Sequence, residues 1–209
     1  MHAIRWERAA LGITAAAASF AGAGIIHTDI DDIVLVGDPW TEEQLASIDL
    51  NADGVIDLTL IASYVPGPGS GGPMANAYGF DGFGTSHFLV TSWYREAYAA
   101  SFGELIGPPG PDQEYTQNAS FKDSWTTLPR DEGAYFGVRF LIGDEEHYAW
   151  MRISAFIDPD RDYAMVLTLF EYAYETTPGV PIRAGAIPAP GSLAALAVGA
   201  LSLGRRSRR

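Results

Sequence analysis

The chain has 209 residues, of which 47% are hydrophobic and 12% aromatic, enough apolar material for one core of ordinary size. Its formal net charge of -13 argues against nucleic acid as a partner, because a polyanion is bound by clustered cations. Cysteine is absent, which excludes thiol catalysis, disulfides and Cys-ligated zinc. We therefore expect one domain with additional segments at its two ends.

The N-terminal segment 1–23 is organised like an export signal. Arg5 and Arg8 form a charged region, and an apolar run from Ala9 to Phe20 follows it. The segment closes on Ala-Gly-Ala, the small-x-small pattern that signal peptidase requires. An Ala-rich amphipathic or core helix is the alternative. We predict a signal helix that is cleaved near Ala23, with the export machinery and signal peptidase as partners.

The segment 49–57 has the pattern of a calcium-binding loop. Oxygen-bearing side chains stand at positions 1, 3, 5 and 9 of that pattern, and glycine stands at position 6, where the loop turns sharply. Position 12, a bidentate glutamate in an EF-hand, is Leu60 here, so the predicted site is partial. The candidate ligands for calcium, the only cofactor we predict, are Asp49, Asn51, Asp53, Val55 and Asp57.

Two interpretations of this loop remain open. Three carboxylates within nine residues repel one another unless a cation lies between them, which favours calcium. The alternative is a strand-connecting turn in which Asp49 and Asn51 form Asx-type hydrogen bonds with the backbone. On either side of the loop, Thr41-Glu42-Glu43-Gln44 predicts a capping box that opens a short helix, and the sequence from Leu58 to Val65 predicts a strand.

Four later segments are rich in aromatic and β-branched residues and are separated by Gly, Pro or Asp, so we predict that they are strands. They are 86–98, 134–142, 147–156 and 163–175, with a hairpin loop at 143–146 and a turn at 158–162. This spacing predicts an all-β chain. Its domain, over 24–185, is expected to be a single β-sandwich or jelly-roll-like unit, flanked by the signal helix and a C-terminal hydrophobic helix.

In the predicted strand 147–156, small apolar residues alternate with larger or polar ones. We expect the set containing Ala149 and Met151 to face the core, which places Tyr148 and Trp150 on the opposite side. Because exposed aromatic rings can stack on sugars, we consider a carbohydrate-binding module as an alternative function. Its candidate ligand-binding residues are Trp93, Tyr148 and Trp150, and structural packing of the same rings is the competing interpretation.

Catalytic motifs are not found in the sequence. A Gly-x-Ser-x-Gly elbow, a phosphate-binding glycine loop and a His-Glu-x-x-His helix are all absent. His87 and His147 fall in predicted strands, where we expect hydrogen-bonded structural histidines. A glycoside hydrolase, which needs only two suitably spaced carboxylates, is a less favoured alternative. We therefore expect that the protein is not an enzyme.

The C-terminal segment 186–209 combines an uncharged run with terminal arginines. Its residues from Gly191 to Leu203 leave no polar face, and the run is somewhat short of the about 20 residues that span a bilayer. Pro188 and Pro190 can begin a helix but cannot lie within one. The basic residues that follow are Arg205, Arg206, Arg208 and Arg209. This order predicts a stop-transfer transmembrane helix with its arginines on the cytoplasmic face, and an amphipathic core helix is the alternative.

The order Pro-x-Pro, apolar helix, arginine cluster resembles the PEP-CTERM sorting signal. Membrane-embedded exosortases are thought to recognise and cut this signal in exported bacterial surface and matrix proteins. The motif here is Pro188-Ala189-Pro190, a PAP variant in which alanine stands where the family usually has glutamate. The resemblance implies an exosortase-like membrane protease as a partner. The replacement of glutamate by alanine bears on whether that protease cleaves the tail.

The region before the tail resembles the passenger domain that often precedes such signals. The residues that carry this resemblance are 135–140, 147–152, 173–179, 181–182 and 184–185. Related proteins have Tyr-Gly-Trp where this chain has Tyr148-Ala149-Trp150. The resemblance implies no activity. We expect an exported protein that is membrane-anchored transiently or permanently, then held at the cell surface or in the extracellular matrix, with polysaccharide as a candidate partner.

Overall fold

A computed structural model describes residues 24–38, 40, 43–65, 72–79, 86–91, 96–121 and 132–188. This part of the chain is all-β and contains thirteen strands and one short 3-10 helix, Pro159–Arg161. The strands are β1 (Ile25–Gly37), β2 (Gln44–Ile48), β3 (Leu58–Val65), β4 (Gly72–Gly79), β5 (His87–Thr91), β6 (Ala99–Ala100), β7 (Leu105–Ile106), β8 (Gln113–Thr116), β9 (Asn118–Ser120), β10 (Ala134–Ile142), β11 (Glu145–Asp158), β12 (Ala164–Glu175) and β13 (Ile182–Arg183). The predicted signal and tail helices lie outside the described residues.

The largest sheet is antiparallel, with strand order β1-β12-β11-β10-β5-β8 and with β6 paired to β10. Its centre is a meander of the three long strands β10, β11 and β12. Gly143 and Asp144 form the two-residue connection between β10 and β11, and Gly143 has the positive φ of 64° that such turns require. The predicted hairpin loop at 143–146 is thus confirmed in a shorter form.

A second antiparallel sheet has the order β2-β3-β4-β9 and shares a hydrophobic core with the first. From the second sheet, Leu58 and Leu60 are completely buried in this core. The large sheet contributes further fully buried side chains, among them Phe88, Phe140, Met151, Ile153 and Leu167. Each such side chain stabilises the fold by about 1.5–3 kcal/mol relative to an exposed one.

The opposite face of the large sheet is covered by β7 and β13, which form a two-stranded ladder. Trp150 is completely buried beneath this layer, in one cluster with Ile106 of β7 and Ile182 of β13. Its indole Nε1 donates a hydrogen bond of 3.1 Å to the backbone oxygen of Ala186. The ring of Tyr135 meets the indole edge-on, at 5.3 Å between ring centres. The large sheet is therefore apolar on both faces.

Most of the predicted strands are confirmed, with bounds that differ by a few residues. Two differences have physical causes. The helix predicted after Thr41 is wrong, because Gln44–Ile48 pairs with β3 as a strand. The predicted strand 86–98 is not one strand, because β5 ends at Thr91 and Ala97 pairs back with Val90 in an antiparallel bridge. The turn at 158–162 is confirmed, and its last residue, Asp162, and the next, Tyr163, both have positive φ.

We predict that Trp150→Ala destabilises the domain by about 3–5 kcal/mol, because it removes a large buried side chain and leaves a cavity. Trp150→Phe should cost less, since a six-membered aromatic ring remains while the five-membered ring and its hydrogen bond to Ala186 are lost. Urea unfolding followed by circular dichroism measures both. Trp40→Ala is the control, because Trp40 is 82% exposed. Equal midpoints for the Trp150→Ala and Trp40→Ala variants would contradict the buried position of Trp150.

Candidate functional site

The predicted calcium loop lies between β2 and β3, and its polar side chains bond to the loop's own backbone. The two carboxylate oxygens of Asp49 accept hydrogen bonds from the amides of Asp53 (3.2 Å) and Gly54 (2.8 Å). The carboxylate of Asp53 in turn accepts one from the amide of Val55 at 2.8 Å. Ala52 and Gly54 have positive φ, as a tight reversal of the chain demands. The geometry is that of the Asx-type turn that we gave as the alternative.

The remaining polar members of the loop have different environments. The side-chain oxygen of Asn51 accepts from the amide of Asp53, at 3.1 Å. Asp57 is buried, with 5% of its surface exposed, and its carboxylate accepts from the amide of Leu50 at 2.6 Å. The structure thus brings the candidate ligands Asp49, Asn51 and Asp53 together. The Asp57 carboxylate is instead buried and is bound to the amide near the start of the loop.

The loop packs against β12. The hydroxyl of Tyr172 donates a hydrogen bond of 3.5 Å to the backbone oxygen of Asp49. Burial raises the pKa of Tyr172 and of Tyr174, and the negative charges of Asp57 and Asp49 raise both further. Among the described residues, no group of three His, Cys, Asp or Glu side chains has the geometry to hold a metal ion.

The calcium interpretation of the loop stays a prediction, and a chelator tests it. If native protein binds calcium and unfolded chain does not, a hundredfold excess of calcium over its Kd stabilises the fold by about 2.7 kcal/mol. Adding EDTA should then lower the melting temperature, and Asp53→Ala should abolish that response. Asp144→Ala, at an exposed hairpin position outside the loop, should keep it. Identical melting curves with EDTA and with added calcium would contradict calcium binding, and the Asx-type turn would be the remaining interpretation of the loop.

The aromatic residues proposed for sugar binding are not exposed where the structure describes them. Tyr148 is 5% exposed and Trp150 is completely buried, both beneath the layer formed by β7 and β13. The strand alternation was therefore predicted correctly, and the burial of Tyr148 and Trp150 supports structural packing, the competing interpretation of these rings. Trp93 lies outside the described residues. Stacking on a sugar requires an accessible ring face, so Tyr148 and Trp150 do not form such a platform.

The structure assembles a polar cluster that the sequence analysis did not identify. The Glu171 carboxylate on β12 contacts His27 Nε2 at 2.6 Å and accepts a hydrogen bond from Arg152 Nε, also at 2.6 Å. The Arg152 guanidinium also lies over the Phe170 ring, at 4.6 Å from its centre. The His27 ring lies 5.8 Å from that of Trp150. The cluster connects the three adjacent strands β1, β12 and β11 at the half-buried edge of the Trp150 layer.

The charge balance of this cluster lowers the pKa of Glu171. Burial of the carboxylate acts to raise that pKa, but the hydrogen bonds from His27 and Arg152 and the positive charge of Arg152 outweigh it. Because the folded-state pKa is below the unfolded one, the folded protein binds fewer protons at acidic pH. The stability contributed by Glu171 is present above the unfolded glutamate pKa of about 4.3 and is lost as pH falls through the folded value.

We therefore predict that Glu171→Gln lowers the melting temperature at pH 7 and that this difference from wild type shrinks towards pH 3. The reason is that protonation removes the charge from wild-type Glu171, leaving both proteins neutral at this position. Glu145→Gln, at the exposed start of β11, is the matched control and should change the melting temperature little at either pH. A difference that is constant from pH 7 to pH 3 would show that the Glu171 charge does not stabilise the fold.

His87 and His147, which the sequence predicted in strands, both lie in strands of the large sheet. His147 is buried, and its Nδ1 donates a hydrogen bond of 2.8 Å to the backbone oxygen of Glu175. This confirms the expectation of a hydrogen-bonded structural histidine at His147. His87 is half-buried on β5. Its neighbour across the ladder is Arg139 on β10.

Of the predicted sorting-signal residues, only Pro188 lies within the described part of the chain, where it is exposed. Pro190 and the four terminal arginines lie outside it, as does the predicted cleavage site near Ala23. Within the described ranges, none of the helical segments has the length and apolar character to cross a bilayer.

Comparison with protein-family models, curated proteins and solved structures finds no match to this chain.

Proposed function

We propose that the protein is an exported cell-surface or extracellular-matrix protein without catalytic activity, sorted by its C-terminal segment. In this proposal the segment 1–23 directs export, and 186–209 acts as a PEP-CTERM-like membrane and sorting element. An exosortase-like protease is its expected partner. The folded part between them is a β-sandwich in which the second sheet packs on one face of the large sheet. Its role is to present a stable acidic surface outside the cell.

The observation that supports the proposal is that the described β-domain holds both its first and its last residues by hydrogen bonds, at Gly24 and at Ala186. Gly24 exchanges two hydrogen bonds of 2.9 Å with Thr176, one through its amide and one through its carbonyl. Strand β1 starts at Ile25, two residues after Ala23, the predicted cleavage site. At the other end, the Ala186 carbonyl accepts the indole hydrogen bond of Trp150, and Ile187 is exposed. These contacts suit a domain that fills the interval between the two proposed signals.

The distribution of charge supports the same division. Of the 26 acidic residues, 25 lie between positions 24 and 188, whereas this interval holds seven of the 13 basic residues. The other six basic residues lie in the two terminal segments, next to apolar runs. Basic residues that flank an apolar run orient it in a membrane with the positive side inward, so both terminal segments have the charge pattern of membrane-directed signals.

One contact bears on where the proposed tail begins. The sequence predicted the end of the domain at Gly185, and the Ala186 carbonyl accepts the indole hydrogen bond of Trp150. Residue 186 therefore packs with the domain, and in our proposal the sorting element starts at Ile187. A truncation designed to release the domain intact should end at Pro188.

We predict that truncation after Pro188 releases the domain from the membrane in folded form. Replacing Arg205, Arg206, Arg208 and Arg209 with serine should impair membrane retention, because the stop-transfer signal depends on positive charge. Fractionation of expressing cells, with immunoblotting of membrane and culture supernatant, measures both. The matched control replaces Arg95, Lys122, Arg130 and Arg161 with serine, which removes four positive charges outside the tail. A truncated protein that stays in the membrane fraction would overturn the proposal.

A further inference from the structure

Three large apolar side chains are exposed close to the point where the chain leaves the domain. Phe102 is 77% exposed, Leu105 is 56% exposed and Ile187 is 57% exposed. We call these three residues the exit patch. Single exposed apolar residues are ordinary on protein surfaces, but a group of them in one place indicates contact with another apolar surface.

Backbone hydrogen bonds place Phe102 and Leu105 beside the segment that leads to Ile187. The amide of Gly103 donates to the carbonyl of Ala184 at 2.9 Å, and the amide of Ala184 donates to the carbonyl of Glu104 at 2.8 Å. Leu105 is the ladder partner of Arg183. The stretch from Phe102 to Leu105 is thus fixed beside residues 183–185, immediately before Ile187.

The Phe102 ring has a defined place within this arrangement. It lies over Gly185, where a Cβ atom would come within 2.6 Å of the ring. Its centre is 6.0 Å from that of the Tyr135 ring, which itself packs on Trp150. Because Gly185 has a positive φ of 74° and no side chain, the ring can approach the backbone closely. The ring is therefore exposed although its position is set by packing.

The charges around the exit patch suit an apolar partner. Glu104 is the one acidic residue in the stretches 102–105 and 183–188, and its carboxylate accepts hydrogen bonds from the Tyr98 hydroxyl (2.6 Å) and the Ser101 amide (2.8 Å). Arg183 is exposed, with one guanidinium nitrogen donating to the Gly103 carbonyl at 2.9 Å. A cation beside apolar side chains is the composition of surfaces that lie in the headgroup region of a membrane.

We propose that the exit patch rests on the lipid bilayer that receives the C-terminal segment. The inference depends on the proposed function, since it takes the run beginning at Gly191 as the membrane segment. Only four residue steps separate Ile187 from Gly191, and an extended chain spans at most about 14 Å over that distance. The headgroup region is about 5–8 Å deep on each side of the hydrocarbon core, so the patch lies within reach of it.

Site-directed fluorescence on the full-length chain tests this contact, because the natural sequence has no cysteine and single thiols can be placed at will. Phe102→Cys and Leu105→Cys variants are labelled with an environment-sensitive fluorophore and reconstituted into phosphatidylcholine vesicles. Val34→Cys is the matched control. Val34 is 52% exposed, pairs with Thr168 on β12, and lies seven residues along β1 from His27, whose ring is beside that of Trp150.

Spin-labelled lipid is the quencher, and co-flotation of protein with vesicles is measured in the same samples. We expect quenching at positions 102 and 105 to exceed that at position 34 by about threefold, as for side chains at the headgroup boundary. Co-flotation with equally weak quenching at all three positions would overturn the inference and leave the membrane tail standing. Loss of co-flotation would overturn the tail and the inference together.

A second copy of the chain is the competing occupant of the exit patch. In that case, the label at position 102 would shift to shorter wavelength as protein concentration rises in detergent without vesicles. This result, combined with weak quenching by spin-labelled lipid, would also overturn the membrane contact. Thermal melting of each labelled variant in detergent should match that of the unlabelled protein, which shows that the domain is folded during the measurement.

Discussion

The fold depends on β11, a strand whose two faces both carry apolar side chains. Ala149, Met151 and Ile153 point into the main core, and Tyr148 and Trp150 point the other way. A sheet with only one apolar face can leave the other to water, but this strand requires cover on both. The second sheet supplies one cover. The other is much smaller: the ladder of β7 and β13 and the few residues around it.

That small outer layer also explains where β1 and the residues after β13 lie. Trp150 needs a partner for its indole N–H as well as apolar contact, and the Ala186 carbonyl provides it. On the other side of the same ring lies His27, two residues into β1. The first and last parts of the domain therefore meet at one buried tryptophan. Glu171 forms ion pairs with both His27 and Arg152 and lies at the half-buried edge of the layer around Trp150.

The sequence predicted the long strands well because their signal is local. In 147–156 the two-residue period is visible in the side chains themselves, and the turns on either side carry Gly, Asp and Pro. Whether the second face is exposed is a different question, since the alternation is the same in both cases. The answer depended on β7 and β13, which have two residues each and are too short to show a period.

Long-range pairing accounts for the other differences. The capping-box pattern at Thr41 predicted a helix, but Gln44–Ile48 gains a ladder with β3, and the Gln44 side chain accepts a hydrogen bond from the Val36 amide. Tertiary pairing here overrides a local signal. The contact of His27 with Glu171 joins residues 144 positions apart, and no spacing rule in the sequence connects them. The 49–57 loop was located correctly because turn chemistry and calcium chemistry use the same residues.

The attachment of the tail has a mechanical consequence. Ala186 is held by Trp150, and Ala184 is held by two backbone hydrogen bonds, to Gly103 and Glu104. Ile187 is thus the single residue between the last anchored carbonyl and Pro188, whose ring restricts its own φ and disfavours helical conformations of Ile187. A glycine- or serine-rich segment would let the chain reorient freely at this point. Here the path of the chain through Ile187 and Pro188 is instead coupled to the packing around Trp150.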